Sequence, residues 1–81
     1  MNNINTSSRE SEGKRLDILT KREQQVFEKL IKNKTTKEIA KDLGISEKTI
    51  RNHISNVMQK LGVKGRTQAV IELLKLGELK I

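Results

Sequence analysis

The 81-residue chain contains no cysteine. Disulfides and thiolate metal centres are therefore excluded, and nothing in the composition calls for an oxidising compartment. Long apolar runs are missing too. No stretch approaches the length of a membrane-spanning helix, and the opening MNNINTSSRESEGKR holds no apolar segment of the kind a secretory signal needs. A cytoplasmic protein without membrane contact is expected. Aromatics are reduced to Phe27 and histidines to His53. With no cysteine, second histidine or carboxylate at ligand spacing, His53 is a poor metal ligand. Ser46, Ser55 and His53 make no credible nucleophile system, because a triad needs an orienting acid in a cleft that so short a chain hardly encloses. An enzyme is not expected, nor is a metal, a cofactor or a small-molecule ligand.

What the chain does carry is positive charge, a formal net +7. Residues 1–18 balance Arg9, Lys14 and Arg15 against Glu10, Glu12 and Asp17, so the whole excess lies in residues 19–81. Between Lys32 and Arg66 nine basic residues face only Glu38, Asp42 and Glu47, a net +6. Such clustering favours a surface that meets a polyanion over one that is merely solvated. Residues 1–17, rich in Asn, Ser, Thr and charge, hold too few apolar groups to offset the entropy of ordering. They are expected as a mobile arm ahead of a domain spanning 18–81. Contact of the arm with the polyanion stays open, though its zero net charge argues against a strong electrostatic role. A chain this small makes one domain at most and is marginal alone, so association is a natural expectation.

Helical periodicity organises the rest. Thr20 followed by Glu23 forms a capping box, with Leu19 in the staple position, and Val26, Phe27, Leu30 and Ile31 give a buried stripe to about Lys32. Thr35 and Glu38 open a short second helix with Ile39, Ala40 and Leu43 inward. Ala40 lets the next helix cross closely, Gly44 supplies the left-handed turn, and Ile45 plugs that turn from the core side. Ser46 caps the third helix, with Glu47 favourable at its positive end. Ile50, Ile54, Val57, Met58 and Leu61 form the inner stripe, and Gly62 stops the helix.

Once that stripe is subtracted, the third helix offers Lys48, Arg51, Asn52, Ser55 and Gln59 outward. Arg forks onto guanine O6 and N7, Asn onto adenine, and Ser or Gln onto base edges or phosphate. Any solvent-facing helix can carry these residue types, so composition alone does not decide. The short preceding helix, the Ala-to-Gly turn spacing and the near absence of carboxylates after Glu47 favour a helix-turn-helix that shows bases the N-terminal half of its second helix.

A fourth helix is expected from about Thr67 to Leu76, ended by Gly77. Its apolar residues, including Val70, Leu73, Leu74 and Leu76, exceed one stripe. Either neighbours wrap it deeply, or part of it meets a second copy across a two-fold axis.

From Leu19 to Leu79, LTKREQQVF, TTKEIAKDLGISEKTIRNHISNVMQKLGVKGRTQAV and the closing helix resemble the LuxR/FixJ-type DNA-binding domain over about three quarters of the chain. The resemblance implies an all-α, four-helix domain whose second and third helices form the helix-turn-helix. It also implies a homodimer formed through the fourth helix at Val70, Leu73, Leu74 and Leu76, sequence-specific binding of double-stranded DNA near promoters, and contact with RNA polymerase. Carried over residue by residue, Arg51, Asn52 and Ser55 read bases. Thr36, Lys37, Lys48, Thr49, His53 and Lys60 grip phosphates, with Lys34 a weaker addition. KTTKEIA, ISEKT, RNHISN and MQKLGVKG are most similar to small stand-alone regulators of spore-coat genes, which implies a place in late sporulation. With no receiver or ligand-binding domain, control is expected to lie in the protein's own synthesis; the expected location is the cytoplasm, in association with the nucleoid. A promoter-recognition module similar to sigma factor region 4 is the other reading. There the fourth helix need not join a symmetric dimer. A helical interaction module leaves Arg51 and Asn52 unexplained.

Overall fold

The computed structural model describes residues 18–81 and within them four helices: α1 (Lys21–Leu30), α2 (Thr36–Leu43), α3 (Glu47–Leu61) and α4 (Arg66–Lys75). The expected N-terminal arm lies outside the described residues. The all-α architecture agrees with the sequence.

Three helices start where a side chain satisfies their free amides. The Thr20 hydroxyl accepts from the Glu23 amide at 3.1 Å while the Glu23 carboxylate accepts from the Thr20 amide at 2.9 Å. Thr35 and Glu38 repeat the box at 3.1 and 2.9 Å, and the Ser46 hydroxyl accepts from the Thr49 amide at 3.1 Å. The start of α4 differs. Gly65 has no side chain to offer, so Gln68 reaches back and accepts from the Lys64 amide at 3.3 Å, which starts the helix at Arg66.

All four helices end alike. A left-handed residue follows the last turn, and the next amide returns to a carbonyl five residues back: Lys34 to Lys29, Ile45 to Ala40, Val63 to Met58 and Glu78 to Leu73, at 2.9 to 3.2 Å. Glycine fills three of the left-handed positions. After α1 it is Asn33, at φ 67°, whose short polar side chain tolerates that conformation. For this reason α1 stops at Leu30, two residues before the expected end at Lys32.

The core is organised by α3, which packs against each of the other three helices. Its buried Ile50, Ile54 and Val57 meet Val26 and Phe27 of α1, Ile39 of α2, and Ala69 and Leu73 of α4. Leu19 is buried as well, but not as a staple. Gln24, where a staple needs an apolar partner, is exposed, and Leu19 joins the common core. Beyond α4 the chain folds back to bury Leu79.

One charged side chain among the described residues is buried: Glu23, 3 % exposed. Lys60, near the end of α3, donates to Glu23 Oε1 at 2.6 Å and to the Ile18 carbonyl at 3.0 Å. Burial pushes the Glu23 carboxyl up, but the hydrogen bonds from Lys60 and Thr20 together with the Lys60 charge outweigh it and hold the group below its ordinary value of 4.5. The pair thus ties the start of α1 to the far end of α3.

A carboxyl whose pKa is lowered on folding adds stability above its unfolded pKa, and that gain fades as acid titrates it through the folded value. Glu23→Ala is expected to lower the unfolding free energy by about 2 kcal/mol at neutral pH. It should also flatten the loss of stability between roughly pH 5 and 3. Urea midpoints across that range check both.

Candidate nucleic-acid interface

The site begins at the turn between α2 and α3. Gly44 adopts φ 69° and ψ 32°, and the Ile45 amide closes on the Ala40 carbonyl at 3.1 Å. Ala40 is buried, and its single methyl leaves room for α3 to cross α2 closely. Ile45 is half-buried against the core, as its position in the turn implies.

With its inner stripe fixed, α3 turns Lys48, Arg51, Asn52, Ser55 and Gln59 to solvent. Asn56 is exposed as well and belongs to the same surface. The sequence reading leaves it out, although its spacing of four from Asn52 is the signal that finds it. Thr49 and His53 are half-buried on the flank, and the Thr49 and Ser46 hydroxyls lie 2.8 Å apart. Thr36 is half-buried at the start of α2, and Lys37 beside it is exposed. Among the described residues neither Lys37 nor Lys48 takes part in an ion pair. Their charges remain available to a polyanion.

Two lysines from the expected phosphate set are engaged within the fold. Lys34 donates to Asp42 Oδ2 at 3.0 Å, and Lys29 reaches the same oxygen at 3.4 Å. The hydrogen bond to Asp42 raises the Lys34 pKa, and the same bond lowers that of Asp42. Lys60 is the second. Its ammonium is committed to Glu23 and the Ile18 carbonyl, and it sits twelve residues along α3 from Lys48, about 18 Å at helical rise. Its partner Glu23 is 37 residues away in the chain, beyond any local pattern.

Glu47 is the member that the sequence reading credits only with a helix-end role. Its Oε2 accepts from the Thr36 hydroxyl at 2.8 Å and from Arg51 Nη2 at 2.9 Å. The Glu47–Arg51 spacing of four was readable on a helix. The bond to Thr36 was not, because it spans the turn.

On α4, Leu73 is a correction. It was expected at a symmetric contact but is wholly buried in its own chain, because it shares a helix face with Ala69, which packs into the core. Val70 and Leu74 are half-buried, while Ile71 and Leu76 are 46 % and 41 % exposed. The outward apolar face is therefore Val70, Ile71 and Leu74, with Ile71 the addition, while Leu76 is exposed at the C-cap of the helix, on the side of Ala69 and Leu73.

Residues 17–73 match the family described as bacterial regulatory proteins, luxR family. The chain belongs to that family. It is similar to spore germination protein GerE of Bacillus subtilis, 66 % identical over 73 residues, which cover 90 % of this chain and 99 % of that one. Transcriptional regulatory protein DegU of Brevibacillus brevis is 46 % identical over 68 residues, but the match spans only 29 % of that longer protein. Escherichia coli transcriptional regulatory protein UhpA, 57 % identical over 49 residues, is matched over 25 % of its length. Among solved structures, transcription factor GerE superposes with a TM-score of 0.76 at 59 % identity, over 78 % of this chain and 94 % of that one. The luxR-family relatives named here are regulators or a transcription factor rather than enzymes.

Placing Leu73 inside the monomer has a measurable consequence. Leu73→Ala is expected to cost about 3 kcal/mol of stability through the cavity it leaves. Urea unfolding at several protein concentrations checks this, since a core defect persists at every concentration.

Proposed function

We propose that this chain is a sequence-specific DNA-binding transcription regulator that acts as a homodimer at promoters. The observation that carries the reading is the division of α3: one face is locked into the core by three helices, and the opposite face holds Lys48, Arg51, Asn52 and Ser55 in solvent. A helix so held enters the major groove without any demand on the fold to yield. In this reading Arg51, Asn52 and Ser55 contact bases. Lys37, Lys48, Thr49 and His53 lie along the phosphates, with Lys34 and Thr36 weaker because Asp42 and Glu47 already engage them. Lys60 serves the fold instead.

The exposed Ile71 and Leu76, with half-buried Val70 and Leu74, support pairing of two copies through α4. Such a dimer presents two α3 helices to half-sites about 34 Å apart, one turn of DNA. That apolar face also favours this reading over a sigma-like module, which has no need of it. The relative named a spore germination protein, matched over 99 % of its length, supports a place in sporulation. Late spore-coat genes are the proposed targets, RNA polymerase a proposed partner, and the cytoplasmic nucleoid the location.

Arg51→Ala should weaken binding to a selected duplex by about 1–3 kcal/mol and relax base preference, whereas Lys48→Ala should weaken all duplexes alike and lower the salt slope by about 1. Titrations of selected and random duplexes at several salt concentrations check this. Equal losses on both duplexes from both variants would remove Arg51 from base reading. Leu74→Asp should give a folded monomer, by circular dichroism and sedimentation velocity, with poor affinity for paired half-sites. Unchanged sedimentation counts against pairing through α4.

A further inference from the structure

We propose that Glu47 is a specificity-determining positioning residue of this interface, which holds the Arg51 guanidinium in its base-reading orientation and penalises duplexes that offer Arg51 no adjacent pair of acceptors. This rests on the reading of α3 as the base-contacting helix.

Glu47 is the only carboxylate of α3, and it stands at the first residue, the end that enters a groove deepest. A surface built for affinity alone gains nothing from a negative charge there. Attraction to the helix N-terminus and a spacing of four from Arg51 are ordinary reasons for a glutamate at this position. Neither accounts for the third contact. The Thr36 hydroxyl, from the other helix of the motif, donates to the same oxygen that accepts from Arg51, at 2.8 and 2.9 Å. The carboxylate is thereby anchored across the turn, and Arg51 is held against a fixed point.

A guanidinium carries five N–H donors in one plane. With one Nη2 hydrogen on Glu47, the remaining donors are free to fork onto two acceptors of a base. The tether removes rotational freedom that Arg51 would otherwise lose on binding. At a wrong base pair the fork meets no adjacent pair of acceptors, so the repulsion between Glu47 and the duplex is not offset by a bidentate contact. Discrimination then comes from repulsion at the wrong site as well as attraction at the right one. The pair is exposed, 56 % for Arg51 and 38 % for Glu47, so it contributes little to folding and its removal leaves the domain intact.

The test uses the full chain, a duplex enriched by the wild type from a random pool, and the same duplex with its bases scrambled. Glu47→Gln should bind the scrambled duplex about tenfold more tightly than the wild type does. Binding to the enriched duplex should stay within about threefold, so that discrimination falls. Glu47→Asp keeps the charge but is too short to reach both Thr36 and Arg51, and it should lose discrimination as well. In an Arg51→Ala background, Glu47→Gln should leave the ratio of the two affinities unchanged. The proposal is overturned if Glu47→Gln tightens both duplexes equally in both backgrounds, or if Glu47→Asp behaves as wild type, since either result reduces Glu47 to a charge. A wild type that enriches no duplex at all overturns the base-reading assignment beneath it, a failure visible before any variant is compared. Urea midpoints close to wild type confirm that the variants are folded.

Discussion

Ile50, Ile54 and Val57 are buried against three different helices, so α3 has one rotational setting that the rest of the domain depends on. Each successive residue of a helix turns by about 100°, and a slip of one position would carry these side chains to the edge of the core. Burying each is worth about 1.5–3 kcal/mol, whereas an exposed ion pair such as Glu47–Arg51 is worth about 0–1. The core therefore sets the angle of the outer face, and the surface charges only refine it. An interface that must place side chains against base edges needs that order of control.

So small a domain cannot rely on its core alone. Three side-chain caps, each worth about 1 kcal/mol, and four identical helix endings fix the lengths and exits of the helices locally. The Glu23–Lys60 pair adds a long-range tie, and its geometry explains why charge is used. Glu23 is already needed to cap α1, so its buried carboxylate requires a cation, and Lys60 supplies one while also satisfying the Ile18 carbonyl. That lysine is thereby withdrawn from the surface charge the sequence appears to offer a polyanion. Net charge counted along a chain overstates charge available at a face.

The caps, stripes and stops of the four helices were legible because they arise from contacts three to five residues apart. Thr20 with Glu23, Thr35 with Glu38, and Gly44 after Leu43 can all be read by eye. Asn33 escaped because asparagine occupies the left-handed position less often than glycine and has many other uses. The outer face of α3 was legible by subtraction, but the partners of its residues were not. Lys60 finds Glu23 across 37 residues, Lys34 finds Asp42 eight residues on in α2, and Thr36 meets Glu47 only because Gly44 folds the motif on itself. Periodicity assigns a residue to a face and is silent on what lies opposite. Leu73 is the same lesson on α4: an excess of apolar residues signalled two faces, but which one the chain itself covers is decided by where Ala69 packs.

That packing also links the two halves of the proposed dimer. Ala69 and Leu73 seat α4 against the core around α3, and the small Ala69 lets the backbones approach. Val70 and Leu74 each lie one residue further along, about 100° round the helix, so the outward apolar face is turned by a fixed angle from the face that holds α3. In a pair of copies joined through α4, the separation of the two α3 helices is consequently a property of the monomer core as much as of the contact between copies. A substitution that lifted α4 from α3 would move the two reading faces relative to each other while leaving every residue on them unchanged. Half-site spacing and base preference are thus separate properties of one small fold: the first is carried by Ala69, Leu73 and the face beside them, the second by the side chains around Arg51.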